Sequence, residues 1–152
     1  MYIDKIINKL SPSLILCLAG WSTSPELFRH LEVPEQGLKL GVLSNKPDEY
    51  TQLLINKLLP GKFDAVRGKK EDTPRKPDPT GALTLAQELR VAPEDCLYIG
   101  DSGVDMQTAK NAGMLPMGVL WGFRERKELL NDGARFLAER PEDIITLIKV
   151  VG

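Results

Sequence analysis

Cysteine and histidine are nearly absent: Cys17, Cys96 and His30 are the whole complement of a 152-residue chain. So few and so scattered, they exclude a disulfide framework, a zinc site and a histidine cluster. A long hydrophobic run is missing too. The apolar stretch near the N-terminus is the six residues Leu14 to Ala19, where a bilayer span needs about 20. Lys5 and Lys9 ahead of that stretch faintly imitate an export signal, but the run is short and no clear cleavage site follows, so the cytoplasm is expected. Nor is one sign of charge in excess. Twenty basic residues against 21 acidic ones leave a net charge of −1, which excludes nucleic-acid binding or membrane attachment driven by a basic surface. Neither nucleic acid nor membrane is expected as a partner, and a ligand must be sought at a specific site.

What is present is ordinary globular usage, 42% hydrophobic and 27% charged, in a length that normally makes one compact domain. Residues 1–152 are read as that domain, with 1–23 fitting the pattern least well. From Leu38 onward short apolar runs alternate with amphipathic stretches, as repeated βα units with a mostly parallel sheet require. Leu38 to Leu43 reads as a strand, and Pro47-Asp48-Glu49 opens a helix whose stripe Tyr50, Leu53, Leu54 and Leu58 is expected to be buried. Phe63 to Val66 is a short strand. The loop from Gly68 to Pro79 holds three prolines and four basic residues and cannot be helical. A helix with Ala82, Leu85, Ala86 and Leu89, a strand Cys96 to Ile99, a helix from Asp105 closed by Gly113 and a strand Met117 to Leu120 follow. A helix near Arg126 to Leu130, a strand Arg135 to Leu137 and a helix with Ile144, Leu147, Ile148 and Val151 on one face end the chain. Ahead of this series, Ile3, Ile6, Ile7 and Leu10 suggest a helix, Leu14 to Leu18 a buried strand, and Pro25 to Leu31 another helix.

Ser44-Asn45, Lys76 and Asp101 fall just after these strands or in the intervening loop, where open parallel α/β sheets bind ligands. A hydroxyl beside helix-opening amides suits phosphate oxygens, a lysine adds a compact positive charge, and a carboxylate suits Mg²⁺. Each residue also has a plain reading. Ser44-Asn45 can be a helix cap, Lys76 a solvated charge, Asp101-Ser102 a turn, and Asp105 an acid at the positive end of a helix dipole. Cys17 in an apolar run can be a small buried hydrophobe.

Leu43-Ser44-Asn45-Lys46-Pro47, Arg75-Lys76-Pro77-Asp78-Pro79 and Tyr98-Ile99-Gly100-Asp101-Ser102-Gly103-Val104-Asp105 stand in an order and spacing that resemble the haloacid dehalogenase superfamily of hydrolases. With Gly118 to Phe123 they are most similar to phosphoglycolate phosphatases, over about residues 25–150. The resemblance implies a three-layer Rossmann-like core and a phosphatase acting on a small phosphorylated metabolite. It implies that Ser44 and Asn45 bind the phosphoryl group, that Lys76 neutralises its charge and holds the nucleophile, and that Asp101 and Asp105 serve Mg²⁺.

The first motif of that family, Asp-x-Asp-Gly-Thr, is missing. One register aligns Ile15 to Trp21 with it and sets Cys17 at the nucleophile position and Ala19 at the acid–base position; the alternative is that residues 1–23 are unrelated sequence. Neither leaves a carboxylate nucleophile. Sulfur is a poor ligand for a hard cation and alanine cannot shuttle a proton, so weakened Mg²⁺ binding and impaired hydrolysis are expected. A non-catalytic phosphate-binding or interaction protein is the alternative. Only 26 residues separate Cys17 from Ser44, so no cap domain is expected, and apolar surface left bare could support self-association.

Overall fold

A computed structural model describes residues 13–17, 39–122 and 124–151. The helices expected at Ile3 to Leu10 and Pro25 to Leu31 lie outside these residues, as does Phe123. In chain order the elements are β1 (Ser13–Cys17), β2 (Lys39–Pro47), α1 (Asp48–Leu58), β3 (Ala65–Lys69) and α2 (Thr80–Leu89). A 3₁₀ turn at Pro93–Asp95 leads to β4 (Cys96–Gly100), α3 (Gly103–Asn111), β5 (Leu115–Val119), α4 (Arg126–Asn131), β6 (Phe136–Ala138) and α5 (Pro141–Val151).

The strands form one six-stranded sheet in the order β3-β2-β1-β4-β5-β6, and every neighbouring pair is parallel. Strand β4 shows why its sequence is an unbroken apolar run. Leu97 and Ile99 join one core cluster with Val42, Ile55, Val119 and Ile144, while Cys96 and Tyr98 join the other with Leu85, Ala109 and Met114. Successive side chains point to opposite faces, and helices cover both: α1 and α5 on the first, α2 and α3 on the second. This is the mostly parallel βα sheet that the alternating pattern predicts and the three-layer Rossmann-like core that the resemblance implies.

Helix α1 corrects one expectation. Tyr50 and Leu58 are exposed and Leu53 is 70% exposed, while Thr51 and Ile55 are buried. Polar anchors set the rotation of the helix. Thr51 Oγ1 donates to the Pro47 carbonyl at 3.0 Å, Gln52 Nε2 donates to the Val66 carbonyl at 2.7 Å, and Asp48 Oδ1 accepts from the Gly68 N–H at 2.7 Å. Asp48, Thr51, Gln52 and Ile55 stand at helical spacing, so these bonds pin that face onto the sheet and turn the stripe of Tyr50, Leu53 and Leu58 outward.

Both strands at this edge also run past their expected ends. Strand β2 continues through Ser44 and Asn45 to Pro47, and β3 reaches Lys69. Their pairing shifts register between Leu43 and Pro47, where Pro47 faces Lys69.

Candidate functional site

Three central strands bring their C-terminal ends together. Cys17 pairs with Leu43 across β1 and β2, and Leu16 pairs with Ile99 across β1 and β4. One step beyond those partners stand Ser44 on β2 and Gly100 on β4, with Asp101 next in the chain. Cys17 therefore ends the strand that lies between the two carrying Ser44 and Asp101.

Ser44 is buried, and its Oγ accepts from the Lys46 N–H at 3.1 Å. Asn45 Oδ1 accepts from the Lys76 N–H at 3.1 Å. The Lys76 ammonium donates to Asp105 Oδ1 at 2.7 Å in a pair whose side chains are only 4% and 0% exposed. The other oxygen, Asp105 Oδ2, accepts from Ser102 Oγ at 2.9 Å and from the Asp101 N–H at 3.2 Å. Ser102 is the N-cap of α3, and its Oγ accepts from the Asp105 N–H at 3.3 Å. This is a capping exchange between the cap residue and the third residue of the helix, and it fixes the Asp105 carboxylate over the strand end.

Asp101 is buried beside this network. Its carboxyl is pushed up to about 6, first by burial and then by the negative charge of Asp105, with Lys76 pulling partly the other way. Gly122, in the loop after β5, lies against it: a Cβ there would stand 2.6 Å from Asp101 Cβ and 2.7 Å from Oδ2. Only a glycine lets that loop pass so close. Two carboxylates and one lysine thus share a buried corner, an arrangement that favours a further cation.

The structure thus brings Ser44, Asn45, Lys76, Asp101 and Asp105 to one sheet edge, with Cys17 at the end of the strand among them. The surrounding basic residues do not converge there as a group. Arg67 turns to Glu88 of α2 at 2.7 Å, Lys70 lies 3.9 Å from Asp48, and the Lys46 ammonium sits 5.6 Å from the centre of the Tyr50 ring. Trp121 packs against the first core cluster. Cys96 is a buried free thiol whose pKa is pushed up to about 12, chiefly by burial, so it is inert as a nucleophile. Sequence reasoning missed the contact of Gly122 with Asp101 and the bond from Asn111 Nδ2 to the Pro77 carbonyl at 3.0 Å. The run from Gly118 to Phe123 was a signal for the first; nothing in the sequence marked the second.

A parallel α/β sheet carries a buried lysine–carboxylate pair and a second carboxylate at its C-terminal edge, where open sheets of this kind bind ligands. The chain belongs to the haloacid dehalogenase-like hydrolases, whose family pattern matches residues 14–113. A phosphoglycolate phosphatase of Aquifex aeolicus (strain VF5) is 33% identical over 126 residues, which are 82% of this chain and 58% of that protein. A Lactobacillus delbrueckii subsp. bulgaricus protein, provisionally described as a phosphoglycolate phosphatase, has a similar structure. It is 39% identical with a TM-score of 0.74, over 82% of this chain and 51% of its own. A Thermotoga maritima protein provisionally described as a beta-phosphoglucomutase is 30% identical with a TM-score of 0.66, over 74% of this chain and 52% of its own. The chain thus spans between about half and three-fifths of the length of these relatives. Among the described residues no helix is long and apolar enough to cross a membrane.

Proposed function

We propose that the chain binds the phosphoryl group of a small phosphorylated metabolite at this sheet edge, as a phosphoglycolate phosphatase-like protein with impaired hydrolysis. The observation that carries the reading is the buried Lys76–Asp105 pair beside Asp101, at the C-terminal ends of β2 and β4. The Ser44 hydroxyl and the Asn45 amide lie at the end of β2, and Lys76 supplies the compact charge that offsets phosphoryl oxygens. Relatives named phosphoglycolate phosphatase and beta-phosphoglucomutase support a phosphomonoester as ligand.

Mg²⁺ fits the donor set lightly. No group of three or more His, Cys, Asp or Glu residues that could hold a metal stands among the described residues. Mg²⁺, however, commonly takes one or two carboxylates and completes its shell with water and substrate phosphate. The buried Asp101 carboxylate is such a ligand, whereas both Asp105 oxygens are already engaged by Lys76, Ser102 and the Asp101 N–H. Asp105 in this reading holds Lys76 and touches a metal only through water. When bound, Mg²⁺ would neutralise phosphoryl charge; positioning the phosphoryl group falls to Ser44 and Lys76.

The impaired-hydrolysis reading takes Cys17, which ends β1, as standing at the position of the family's aspartate nucleophile; a family match that starts at Leu14, within that strand, supports this register. Without the Asp pair, binding survives and turnover falls, so a non-catalytic phosphometabolite binder is the limiting case. Sparse cysteine, with Cys96 as a free thiol, suits a reducing compartment, which supports the cytoplasm. The test is thermal unfolding with 2-phosphoglycolate and Mg²⁺. A ligand at about 100 times its Kd should stabilise the protein by about 2.7 kcal/mol. The shift should vanish in Asp101→Asn when Mg²⁺ is required; equal shifts in both proteins would refute the role of Asp101.

A second outcome concerns protein free of divalent cations. Asp101 titrates at about 6 when folded, against its ordinary 3.8. The folded state holds this proton more tightly, so the group's effect on stability worsens as pH rises from about 4 to about 6 and then levels off. Asp101→Asn should remove that slope and, near neutral pH, raise stability by on the order of 1–2 kcal/mol after allowance for screening by water. Urea unfolding at about pH 4.5 and about pH 7.5 in the two proteins measures it; parallel pH dependence would contradict the assignment.

A further inference from the structure

We infer that Asn45 and Asn111 are positioning residues that clamp Lys76 in place for the anion, an inference that rests on the phosphoryl-binding reading above. Among the described residues, three hydrogen bonds meet on the Lys76-Pro77 dipeptide. Asn45 Oδ1 accepts from the Lys76 N–H at 3.1 Å, Asn111 Nδ2 donates to the Pro77 carbonyl at 3.0 Å, and the Lys76 ammonium donates to Asp105 Oδ1 at 2.7 Å. The donors and acceptors come from two elements that flank the loop. Asn45 belongs to β2, while Asp105 and Asn111 stand near the two ends of α3.

Six positions separate Asp105 from Asn111, which is about 9 Å along a helix axis. Helix α3 therefore lies along the loop and holds it at two points, the ammonium and the backbone just after it. Strand β2 holds the third point, the amide at the root of the same side chain. Proline contributes no N–H, so this dipeptide has three polar backbone groups, and the two asparagines engage two of them.

The loop from Lys70 to Pro79 belongs to no strand or helix and carries three prolines, so ladder hydrogen bonds do not hold it. A lysine side chain is rich in rotamers and loses that freedom when it is fixed. Asp105 alone would fix the tip of Lys76 and leave its root to move with the loop. A charge that must meet phosphoryl oxygens needs placement to within about 0.5 Å. Asn45 directly follows Ser44, so one strand end sets both the hydroxyl and the root of the lysine, and one helix sets the lysine's tip. The asparagines thus fix the spacing between the two groups assigned to the phosphoryl oxygens. For Asn45 this adds to the role that the resemblance implies: its carbonyl oxygen serves the Lys76 amide.

The test reads amide hydrogen exchange at Lys76 together with binding of inorganic phosphate by calorimetry, in the full chain. The Ile99 amide in β4 serves as the reference for global opening. Asn45→Ala should speed Lys76 exchange relative to Ile99 about fivefold to tenfold, the effect of losing one hydrogen bond, and Asn111→Ala should speed it by a smaller factor. Asn45→Asp keeps an acceptor and should keep Lys76 protected. Both alanine variants should weaken phosphate binding severalfold. Unchanged Lys76 exchange in both alanine variants overturns the clamp. Faster exchange with undiminished phosphate binding overturns its positioning role and leaves a structural bond only. If the parent chain binds no phosphate, the phosphoryl-binding reading fails, and the positioning role fails with it, whereas the exchange data still decide whether the asparagines hold the loop.

Discussion

Replacing Lys76 by methionine is expected to destabilise the fold by about 3–5 kcal/mol, the cost typical of removing one partner from a buried ion pair. The Asp105 side chain is fully buried and the Lys76 side chain nearly so. With the ammonium gone, the Asp105 carboxylate keeps, among the described residues, the Ser102 hydroxyl and the Asp101 N–H as donors, and it faces the Asp101 carboxyl without that ammonium beside it. The loss should exceed that of an exposed pair such as Arg126–Glu139 several times over, because exposed pairs contribute about 0–1 kcal/mol. Neutralising the orphaned acid as well, in Lys76→Met with Asp105→Asn, should recover part of the loss, since the uncompensated charge and not the lost attraction dominates. Urea unfolding of the two single variants and the double variant forms the cycle. A loss below about 1 kcal/mol for Lys76→Met would mean that water reaches Asp105 and that the corner is not buried in solution.

The second large effect is a gain. Cys17→Asp with Ala19→Asp should raise phosphomonoester turnover by at least about 10³-fold over the parent, the scale on which a covalent nucleophile and a positioned acid–base group act. The backbone supports the first of these positions. Cys17 pairs with Leu43, so an aspartate there would end the strand between those that lead to Ser44 and Asp101. Ala19 lies outside the described residues, and its place is set by the register alone. Cys17→Asp by itself should bring a smaller gain, because a nucleophile without a proton donor leaves the alcohol hard to expel. Cys17→Ala tests the thiol directly: turnover in the parent that survives this change excludes a sulfur nucleophile. Silence in the double variant, with phosphate binding intact, would overturn the register.

Much of the fold was legible because strands buried on both faces leave apolar runs that need no fine reading. Cys96 to Ile99 is one, and its side chains divide between the two core clusters. Ser44 and Asp101 were legible for a related reason, since polar groups at the ends of such runs stand out against them, whereas Lys76 lies in a loop and was marked by the resemblance of its motif. The orientation of α1 was not. Its exposed stripe of Tyr50, Leu53 and Leu58 is more apolar than its inner face, and only the bonds of Asp48, Thr51 and Gln52 to Gly68, Pro47 and Val66 decide which side faces the sheet. Those partners lie across the fold or depend on where β2 ends, and periodicity carries neither. Nor does sequence tell where Arg67, next to the basic loop, is directed: its guanidinium reaches Glu88 on α2. Asn111 acts through a contact distant in sequence, with Pro77, and left no local trace, whereas Gly122 lay within the Gly118 to Phe123 run but its contact with Asp101 did not show there.

The account's central claim is that this sheet edge receives a phosphoryl group with the help of Asp101 and hydrolyses it poorly. The most direct measurement is phosphate release from a panel of small phosphomonoesters, 2-phosphoglycolate among them, with and without Mg²⁺, by the parent chain, Asp101→Asn and the Cys17→Asp, Ala19→Asp variant. The account predicts slow or undetectable release by the parent, and Mg²⁺-dependent release by the restored variant that is lost when Asp101→Asn is added. Rapid release by the parent that persists in Asp101→Asn would contradict it.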